Sequence, residues 1–569
     1  MKILLLCSGY NGLTRRLYAE LLRADHTVSA AIAASDAEIQ RQHDALAPDV
    51  VVCSDLRRAV PSEVWASTKT FIVHPGIKGD RGVTPLDRAI LEGVDEWGVT
   101  VQEAAEYLGQ GAVWASETFP MRPASKRSIY REEVSEAAVR CVFAALERYQ
   151  GGDFTPEPVE LRTTTSLPDP VRQVHRAIAW EHDSTETIMR KIRASDGSPG
   201  VLDMMFGHEV YLFGVTREDA MRGDHPGQLM AKRNGAICLA TTDGAVWISQ
   251  MQARAQQQHG TFKLPATLVL GRKIEGVPEV SAARLPGRGE QTFKEIWYDE
   301  YHNVGYLYFE FYNGALSTQQ CQRLHAAYRQ ALRRPTRAIV LMGGRTFWST
   351  GVNHNVIEAA PDPRVEAWHN TLALNELIHD IVTTRSHLTV AGLHGSATGE
   401  GIPLALAADY TFIRDGVVLY PSDRALGGYH GSGYWTYVFP RRAGANNATL
   451  FHERALPVAD EDAKAIGLVT DVIRHTPDDT FHSQMQRFAE DLVGSDRYGE
   501  LLEQKRATRD RDQHAKPLEA YQADELANCR ESLFNGQSPY HAVRSAWVRN
   551  VSPQHTPPHV LHPDQRPKG

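Results

Sequence analysis

Paired cysteines are missing from this sequence. The chain of 569 residues contains six cysteines, and none of them forms a C-x-x-C pair or stands at metal-ligand spacing from a histidine. The sequence therefore predicts neither a disulfide-stapled secreted domain nor a metal site. We expect reduced, mostly buried thiols in a cytoplasmic protein.

Long apolar runs and an excess of basic residues are also missing. No run approaches the roughly 18 apolar residues that a membrane span requires, and the opening run from Met1 to Cys7 is too short for the core of a signal peptide. The formal net charge of −8 disfavours nucleic acid as a partner. We therefore expect small-molecule substrates and other proteins as partners, and neither a membrane nor a nucleic acid.

The composition that remains is that of an ordinary globular protein. Hydrophobic residues make up 42% of the chain and charged residues 23%, so bulk disorder is not expected. A chain of this length exceeds one hydrophobic core, and the usual domain size predicts roughly three to four domains.

The first 155 residues alternate short apolar runs with helical segments. The runs at residues 3–7, 27–32, 49–53 and 70–74 are typical of strands, and a helix is predicted at 132–149. This alternation predicts an α/β fold with a doubly wound parallel sheet. Because sites on such sheets lie at the carboxyl ends of strands, the loop from His74 to Gly82 is well placed for chemistry.

Further domains are predicted after a Pro- and Thr-rich linker at 155–170. Residues 171–275 favour a small barrel-like domain, and a loop at 278–289 marks the next boundary. From 292 to 475 a strand, a glycine-rich loop and a helix recur, which exposes backbone N–H groups at helix starts. Residues 480–550 are predicted to be a helical extension, and 551–569 a loose end.

The first domain carries a recognisable active-site segment. Residues 71–76, followed by 80–90, resemble the corresponding segment of folate-dependent formyltransferases such as methionyl-tRNA formyltransferase, and 171–275 resemble that family's small barrel. The resemblance implies formyl transfer from a folate, with an Asn, a His and an Asp at the reacting carbonyl. Here His74 is kept, whereas Ile72 and Gly109 stand at the Asn and Asp positions.

Residues 292–475 resemble the enoyl-CoA hydratase/isomerase, or crotonase, family. Residues 347–353 fit its first oxyanion loop and 394–401 its second. By position, the resemblance implies that the N–H groups of Val352 and Glu400 polarise a thioester carbonyl. The hydratase glutamates align near Pro403 and Ser422, so ordinary enoyl-CoA hydration is not expected.

The whole chain resembles the HypX (HoxX) family of hydrogenase maturation factors almost from end to end. Residues 434–437 and 538–542 are typical of that family. The resemblance implies formyl-tetrahydrofolate and coenzyme A as cofactors, and a formyl thioester that is split to carbon monoxide for the hydrogenase iron centre. Hydrogenase maturation proteins are then the implied protein partners.

Three positions depart from that family's pattern. Gly109 replaces an aspartate, Gly433 a glutamate and Asp423 a tyrosine, and the loss of one acid or base commonly costs about 10²- to 10⁴-fold in rate. New polar groups stand in the same loops. The candidate catalytic residues are His74, Glu400, Asp423 and His430, and the candidate cofactor-binding residues are Gly76, Asp80, Arg81, Gly82, Gly351, Val352, Asn353, Gly399 and Gly401.

The sequence leaves open whether carbon monoxide release survives these changes, and two alternatives remain. The first is a paralogue in specialised metabolism that formylates or acylates another amine or thiol. The second is a scaffold that binds folate or CoA without turnover.

Overall fold

The computed structural model describes residues 1–107, 109–158, 169–254, 261–281, 291–474, 476, 479–553 and 555–561. The chain divides into two units. Unit 1 comprises Met1–Lys294 together with the residues from Ser552 onward, and unit 2 comprises Glu295–Val551. The finer division into four domains remains a prediction.

Unit 1 begins with a six-stranded sheet of order β2-β1-β3-β4-β5-β6. The first four strands are parallel, as predicted, whereas β5 is antiparallel to β4 and β6 is antiparallel to β5. The elements are β1 (Lys2–Cys7), α1 (Gly12–Arg23), β2 (Thr27–Ile32), α2 (Asp36–Leu46), β3 (Val50–Asp55), α3 (Ser62–Ser67), β4 (Lys69–His74), α4 (Pro85–Glu92), β5 (Glu96–Glu103), β6 (Val113–Pro120), α5 (Lys126–Ile129) and α6 (Ser135–Gly151).

The apolar runs of β1 and β3 form the centre of this sheet. Residues 3–7 and 50–53 are at most 1% exposed, as expected for parallel strands covered on both faces. Asn11 caps α1 by accepting the N–H of Thr14, and Ser35 caps α2 in the same way. The predicted helix at 132–149 lies within a longer helical stretch, in which a π-helical turn at Tyr130–Val134 joins α5 to α6.

An antiparallel sheet forms the second part of unit 1. Its order is β7-β8-β11-β10-β9, with β12 paired to β11, and neighbouring strands are antiparallel. The small barrel remains a prediction. Ile188 and Ile192 of the preceding helix pack on it with Leu212 and Ile248. The elements are α7 (Gln173–Arg176), α8 (Thr185–Ser195), β7 (Val201–Met205), β8 (His208–Glu218), β9 (Leu229–Arg233), β10 (Ala236–Ala240), β11 (Ala245–Ala253), β12 (Leu264–Pro265) and α9 (Ala266–Leu270).

Unit 2 contains a six-stranded sheet, β13-β14-β15-β17-β19-β22, and a four-stranded sheet, β16-β18-β20-β21. The strands of the first sheet are parallel from β14 onward, and β13 is antiparallel to β14. The elements are β13 (Ile296–Tyr301), β14 (Val304–Phe309), α10 (Thr318–Ala331), β15 (Ala338–Met342), β16 (Phe347–Ser349), α11 (His354–Ala359), α12 (Pro363–Thr383), β17 (Leu388–Leu393), β18 (Ser396–Thr398), α13 (Gly401–Leu406), β19 (Tyr410–Arg414), β20 (Val418–Tyr420), α14 (Trp435–Arg454), β21 (Val458–Ala459), α15 (Asp460–Ala465) and β22 (Asp471–Ile473).

Four helices follow the sheets of unit 2, as predicted for residues 480–550. They are α16 (Phe481–Gly494), α17 (Tyr498–Ala515), α18 (Leu518–Phe534) and α19 (Pro539–Val548). Leu518, Cys529 and Tyr540 of this extension belong to the same apolar cluster as Trp348 and Tyr434. The extension therefore completes the core of unit 2.

The prediction of a loose end is wrong for residues 556–561. The Thr556 hydroxyl accepts the backbone N–H of Ile32, and Val560 and Leu561 are buried within unit 1. A hydrogen bond and two buried apolar side chains hold this segment in place. Residues 562–569, and 159–168 of the predicted linker and 282–289 of the predicted second loop, lie outside the described residues.

The thiols agree with the prediction, because all six cysteines are free and buried. In the part of the chain that the structure describes, no helix is long and apolar enough to cross a membrane.

Candidate active sites

The first candidate site lies where β4 ends. His74 is the last residue of this strand and is 9% exposed. Its Nε2 lies 2.9 Å from Asp80 Oδ1, and the same oxygen accepts the N–H of Gly82 at 3.0 Å. The loop thus supplies a carboxylate that orients the imidazole, which is the arrangement that acid–base catalysis by histidine uses.

The backbone of this loop is held against the neighbouring strand β5. Trp97 Nε1 donates to the carbonyl of Pro75, and Thr100 Oγ1 donates to the carbonyl of Gly76. A Cβ at Gly76 would lie 2.5 Å from His74 Nε2. Glycine is therefore required at position 76 for the imidazole to keep its place.

Arg81 and Gly109, which the sequence associated with this site, lie side by side. Gly109 has a φ of +73°, and a Cβ there would lie 2.8 Å from Cγ of Arg81. An aspartate at this position would be strained and would displace Arg81. The Arg81 side chain thus takes the space of the side chain that the formyltransferase pattern places here.

Three polar residues beside this site escaped the sequence analysis. Asn11 Nδ2 donates to Asp55 Oδ2 at 3.0 Å, and Tyr130, in the π-helical turn, faces both groups. Burial raises the pKa of the Asp55 carboxyl, while Arg57 and Asn11 oppose the shift. Asp55 ends β3 as His74 ends β4, so both lie at one edge of the sheet. In the sheet order β2-β1-β3-β4, the chain places β2 on one side of β1 and β3 on the other. Ligand sites of such sheets lie at the carboxyl ends of the strands at this reversal, which is the signal that could have located these residues.

The second candidate site is built by two loops of unit 2. Ser349 Oγ accepts the N–H of Gly351, whose φ is +78°, and Trp348 Nε1 donates to the carbonyl of Gly401. A Cβ at Gly401 would lie 2.3 Å from the carbonyl oxygen of Ser349. The glycines thus allow the two oxyanion loops to approach closely, which brings Val352 and Glu400 together.

The Glu400 side chain binds both backbone N–H groups that were predicted to be oxyanion donors. Its carboxylate accepts hydrogen bonds from the backbone N–H groups of Val352 and of Glu400, and a Cβ at Gly351 would lie 2.4 Å from Glu400 Oε2. Glu400 is 3% exposed, and its Oε1 is buried without a hydrogen-bond partner among the described residues. Burial raises the pKa of Glu400 to about 7, and the two N–H groups oppose that shift.

Asp423 lies next to Glu400. The residue as a whole is partly exposed, but its two carboxyl oxygens lie against glycines. A Cβ added to Gly399 would lie 2.7 Å from Asp423 Oδ1, and a Cβ added to Gly431 would lie 2.9 Å from Asp423 Oδ2. Burial first, and then the charge of Glu400, raise the pKa of Asp423 well above its usual value. The structure therefore places two of the predicted catalytic residues next to each other.

Neutral hydrogen-bonding groups surround the two carboxyls, and the sequence analysis missed three of them. Tyr429 is 1% exposed, and its hydroxyl lies 3.2 Å from Thr371 Oγ1. Burial raises the pKa of the Tyr429 hydroxyl and of the Cys529 thiol, and it raises the pKa of Tyr540 to about 12. The charge of Glu400 adds to each of these shifts, so these groups remain neutral and protonated around it.

The glutamate lost at Gly433 has no space there. Gly433 has a φ of +108°, and a Cβ would lie 2.9 Å from Pro403 Cγ. A different buried carboxylate, Glu525 of α18, accepts the N–H groups of Tyr434 and Thr436 at 2.8 Å each. It satisfies the free donors at the start of α14, which is the task of a helix cap.

The remaining candidates of unit 2 have other neighbours. His430 lies 5.3 Å from the ring of Trp435, which stacks on His452, and burial lowers the pKa of His430. Asn353 caps α11, because its Oδ1 accepts the N–H of Val356. Neither residue is brought to the two carboxyls by a hydrogen bond among the described residues, so their catalytic and binding roles remain predictions.

Comparison with protein families divides the chain in the same order as the sequence analysis. Residues 12–146 match the formyl transferase model, 170–261 the formyl transferase C-terminal domain model, and 308–528 the enoyl-CoA hydratase/isomerase model. The hydrogenase maturation factor HoxX of Bradyrhizobium diazoefficiens is 38% identical over 98% of this chain and 96% of its own length. The chain belongs to the HoxX hydrogenase maturation factor family.

Solved structures of the family show the same fold. The crystal structure of HypX from Aquifex aeolicus in complex with tetrahydrofolic acid has a TM-score of 0.94 and 38% identity, covering 100% of this chain and 99% of that one. A double variant of the same HypX gives a TM-score of 0.95 at 37% identity and the same coverage. The methionyl-tRNA formyltransferase of Thermotoga sp. is 24% identical over 40% of this chain and 74% of its own length. The predicted fold class and family are confirmed: a HoxX-type fusion of a formyltransferase with an enoyl-CoA hydratase/isomerase-type unit.

Proposed function

We propose that this protein takes a formyl group from formyl-tetrahydrofolate and transfers it to coenzyme A or a related thiol in unit 1. Unit 2 then converts the formyl thioester and releases carbon monoxide for hydrogenase maturation. The observation that carries the first half is the His74–Asp80 pair in a family whose HypX member from Aquifex aeolicus is seen with tetrahydrofolic acid. Hydrogenase maturation proteins are the partners, and the free, buried thiols fit a cytoplasmic setting.

The residues of unit 1 fit the chemistry of formyl transfer. The acceptor thiol must lose a proton when its sulfur bonds to the formyl carbon, and the nitrogen of the folate must gain one when its bond to that carbon breaks. His74 takes the first proton and returns the second, while Asp80 orients the ring. The loop residues Gly76, Arg81 and Gly82 line the same site and are proposed to hold the folate.

Binding of a reduced folate is the first expected result. We expect calorimetry with a stable formyl-folate analogue to show one site per chain. Gly76→Ala should weaken binding, because its Cβ would lie 2.5 Å from His74 Nε2. Gly276→Ala is the matched control, since a Cβ there meets nothing within 4 Å. Absence of binding at millimolar concentration would sink the formyl-transfer proposal.

Carbon monoxide release tests the whole proposal. Incubated with formyl-tetrahydrofolate and coenzyme A, the full chain should release carbon monoxide that haemoglobin traps, and omission of coenzyme A should stop the release. Accumulation of a formylated thiol or amine without carbon monoxide would instead favour the second candidate function, a paralogue that formylates another acceptor. The substitutions at Gly109, Gly433 and Asp423 are what make that second candidate worth testing.

A further inference from the structure

Two like charges cannot both persist on the neighbouring, buried carboxyls of Glu400 and Asp423. The thiols of Cys321 on α10 and Cys529 on α18, and the phenols of Tyr429 and of Tyr540 on α19, face Glu400. Cys529 and Tyr540 also face Asp423. Burial raises the pKa of each of these thiols and phenols, so they stay protonated and neutral beside the Glu400 carboxylate. Two adjacent carboxyls in such surroundings ionise one at a time.

The backbone decides which carboxyl keeps the charge. Glu400 accepts two N–H groups, from Val352 and from itself, and such donors favour an ionised carboxylate. Asp423 is repelled by that charge, and the group that opposes this repulsion is its own backbone N–H. The resting pair is therefore a Glu400 carboxylate beside an Asp423 carboxylic acid, with one proton between two groups.

We propose that Glu400 is the base and Asp423 the acid that split a formyl thioester in unit 2, and that the single proton they share passes between them in each cycle. This inference rests on the proposed function and names the groups that perform its second half. They replace in function the glutamate and the tyrosine that the family pattern places at positions 433 and 423.

The step balances without a further reactant. Glu400 takes the formyl hydrogen as a proton, and the electron pair of that C–H bond stays on the carbon. The C–S bond breaks with its electron pair on sulfur, and Asp423 gives its proton to the sulfur. The products are carbon monoxide and the free thiol. Transfer of the proton from Glu400 to Asp423 then restores the resting pair.

Occupation of the oxyanion donors by Glu400 suits a formyl group and no larger acyl group. An ordinary acyl thioester forms an enolate, whose charge requires the two N–H groups that Glu400 holds. A formyl group has no α-carbon and cannot form an enolate, and its oxygen leaves in neutral carbon monoxide. Oε1 of Glu400, which is buried without a hydrogen-bond partner in the described part of the chain, is the atom that receives the proton.

The test supplies formyl-CoA directly to the full chain and measures carbon monoxide with haemoglobin and the freed thiol with a thiol reagent. Glu400→Gln and Asp423→Asn should each lower kcat about 10²- to 10⁴-fold. The wild-type pH profile should be bell-shaped, with the acidic limb lost in Glu400→Gln and the alkaline limb lost in Asp423→Asn. Formyl-deuterated substrate should slow the wild type, because the C–H bond breaks. The exposed carboxylates Glu453 and Asp496, changed to Gln and Asn, are the matched controls.

Each outcome is decisive. Release of carbon monoxide by the wild type with unchanged kcat and pH profile in both variants would overturn the inference while leaving the proposed function intact. No release from formyl-CoA by the wild type would defeat the second half of the proposed function and this step with it. Infrared spectra check the shared proton without turnover. The spectrum of the wild type minus that of Asp423→Asn at neutral pH should contain one protonated-carboxyl band, since the bands of the other buried carboxyls, such as Glu295 and Glu525, cancel. A difference spectrum of two folded proteins without this band refutes the pair.

Discussion

His74→Ala should abolish formyl transfer while unit 1 stays folded. Removal of the imidazole takes away the group that accepts and returns a proton, and such a loss commonly costs about 10²- to 10⁴-fold in rate. The fold should survive because His74 ends β4, and Asp80 keeps its hydrogen bond from the N–H of Gly82. Consumption of formyl-tetrahydrofolate in the presence of coenzyme A measures the rate, and circular dichroism checks the fold.

A control variant and an assay with supplied formyl-CoA show whether the loss is specific to formyl transfer. His208→Ala removes an exposed imidazole from β8, and we expect the wild-type rate. Carbon monoxide release from supplied formyl-CoA should be unaffected in His74→Ala, since that step is assigned to unit 2. A His74→Ala protein that transfers formyl groups at the wild-type rate would show that the histidine only ends the strand.

Asp87→Asn should strongly lower the free energy of unfolding of unit 1. Its carboxylate accepts from Arg176 Nη2 at 2.6 Å and from Lys126 Nζ at 2.9 Å, and Arg176 is 1% exposed. Burial lowers the pKa of Lys126, and Asp87 is the main group that opposes this shift. Removal of one partner leaves buried charge uncompensated, which typically costs about 3–5 kcal/mol of the free energy of unfolding.

Hydrogen exchange followed by mass spectrometry measures this effect by region. Peptides from α4, α5 and α7 should lose protection in Asp87→Asn, whereas peptides from α14 and α18 in unit 2 should not. Glu92→Gln on the same helix is the control, because its 3.7 Å pair with Arg88 is largely exposed and such pairs contribute about 0–1 kcal/mol. Equal protection in Asp87→Asn and Glu92→Gln would mean that the buried ion pair contributes little.

The first site could largely be predicted from the sequence. The apolar run at 70–74 and the glycine-rich loop after it place His74 at a strand end, because strand periodicity and turn chemistry are local properties of the chain. Asp55 was missed since its partner Asn11 is 44 positions away and only the strand order brings them together.

The sequence by itself determined the family, the order of the regions and the strands and helices that carry the loops. Apolar periodicity and short motifs are sufficient for these. Only the tertiary structure decided what the loops do: that Glu400 turns its carboxylate onto the N–H groups of Val352 and Glu400, and that Asp423 joins it between Gly399 and Gly431. It also tied Thr556 to Ile32, against the predicted loose end. Such pairings join residues far apart in the chain, and their energy comes from burial and from contacts that exist only once the chain has folded.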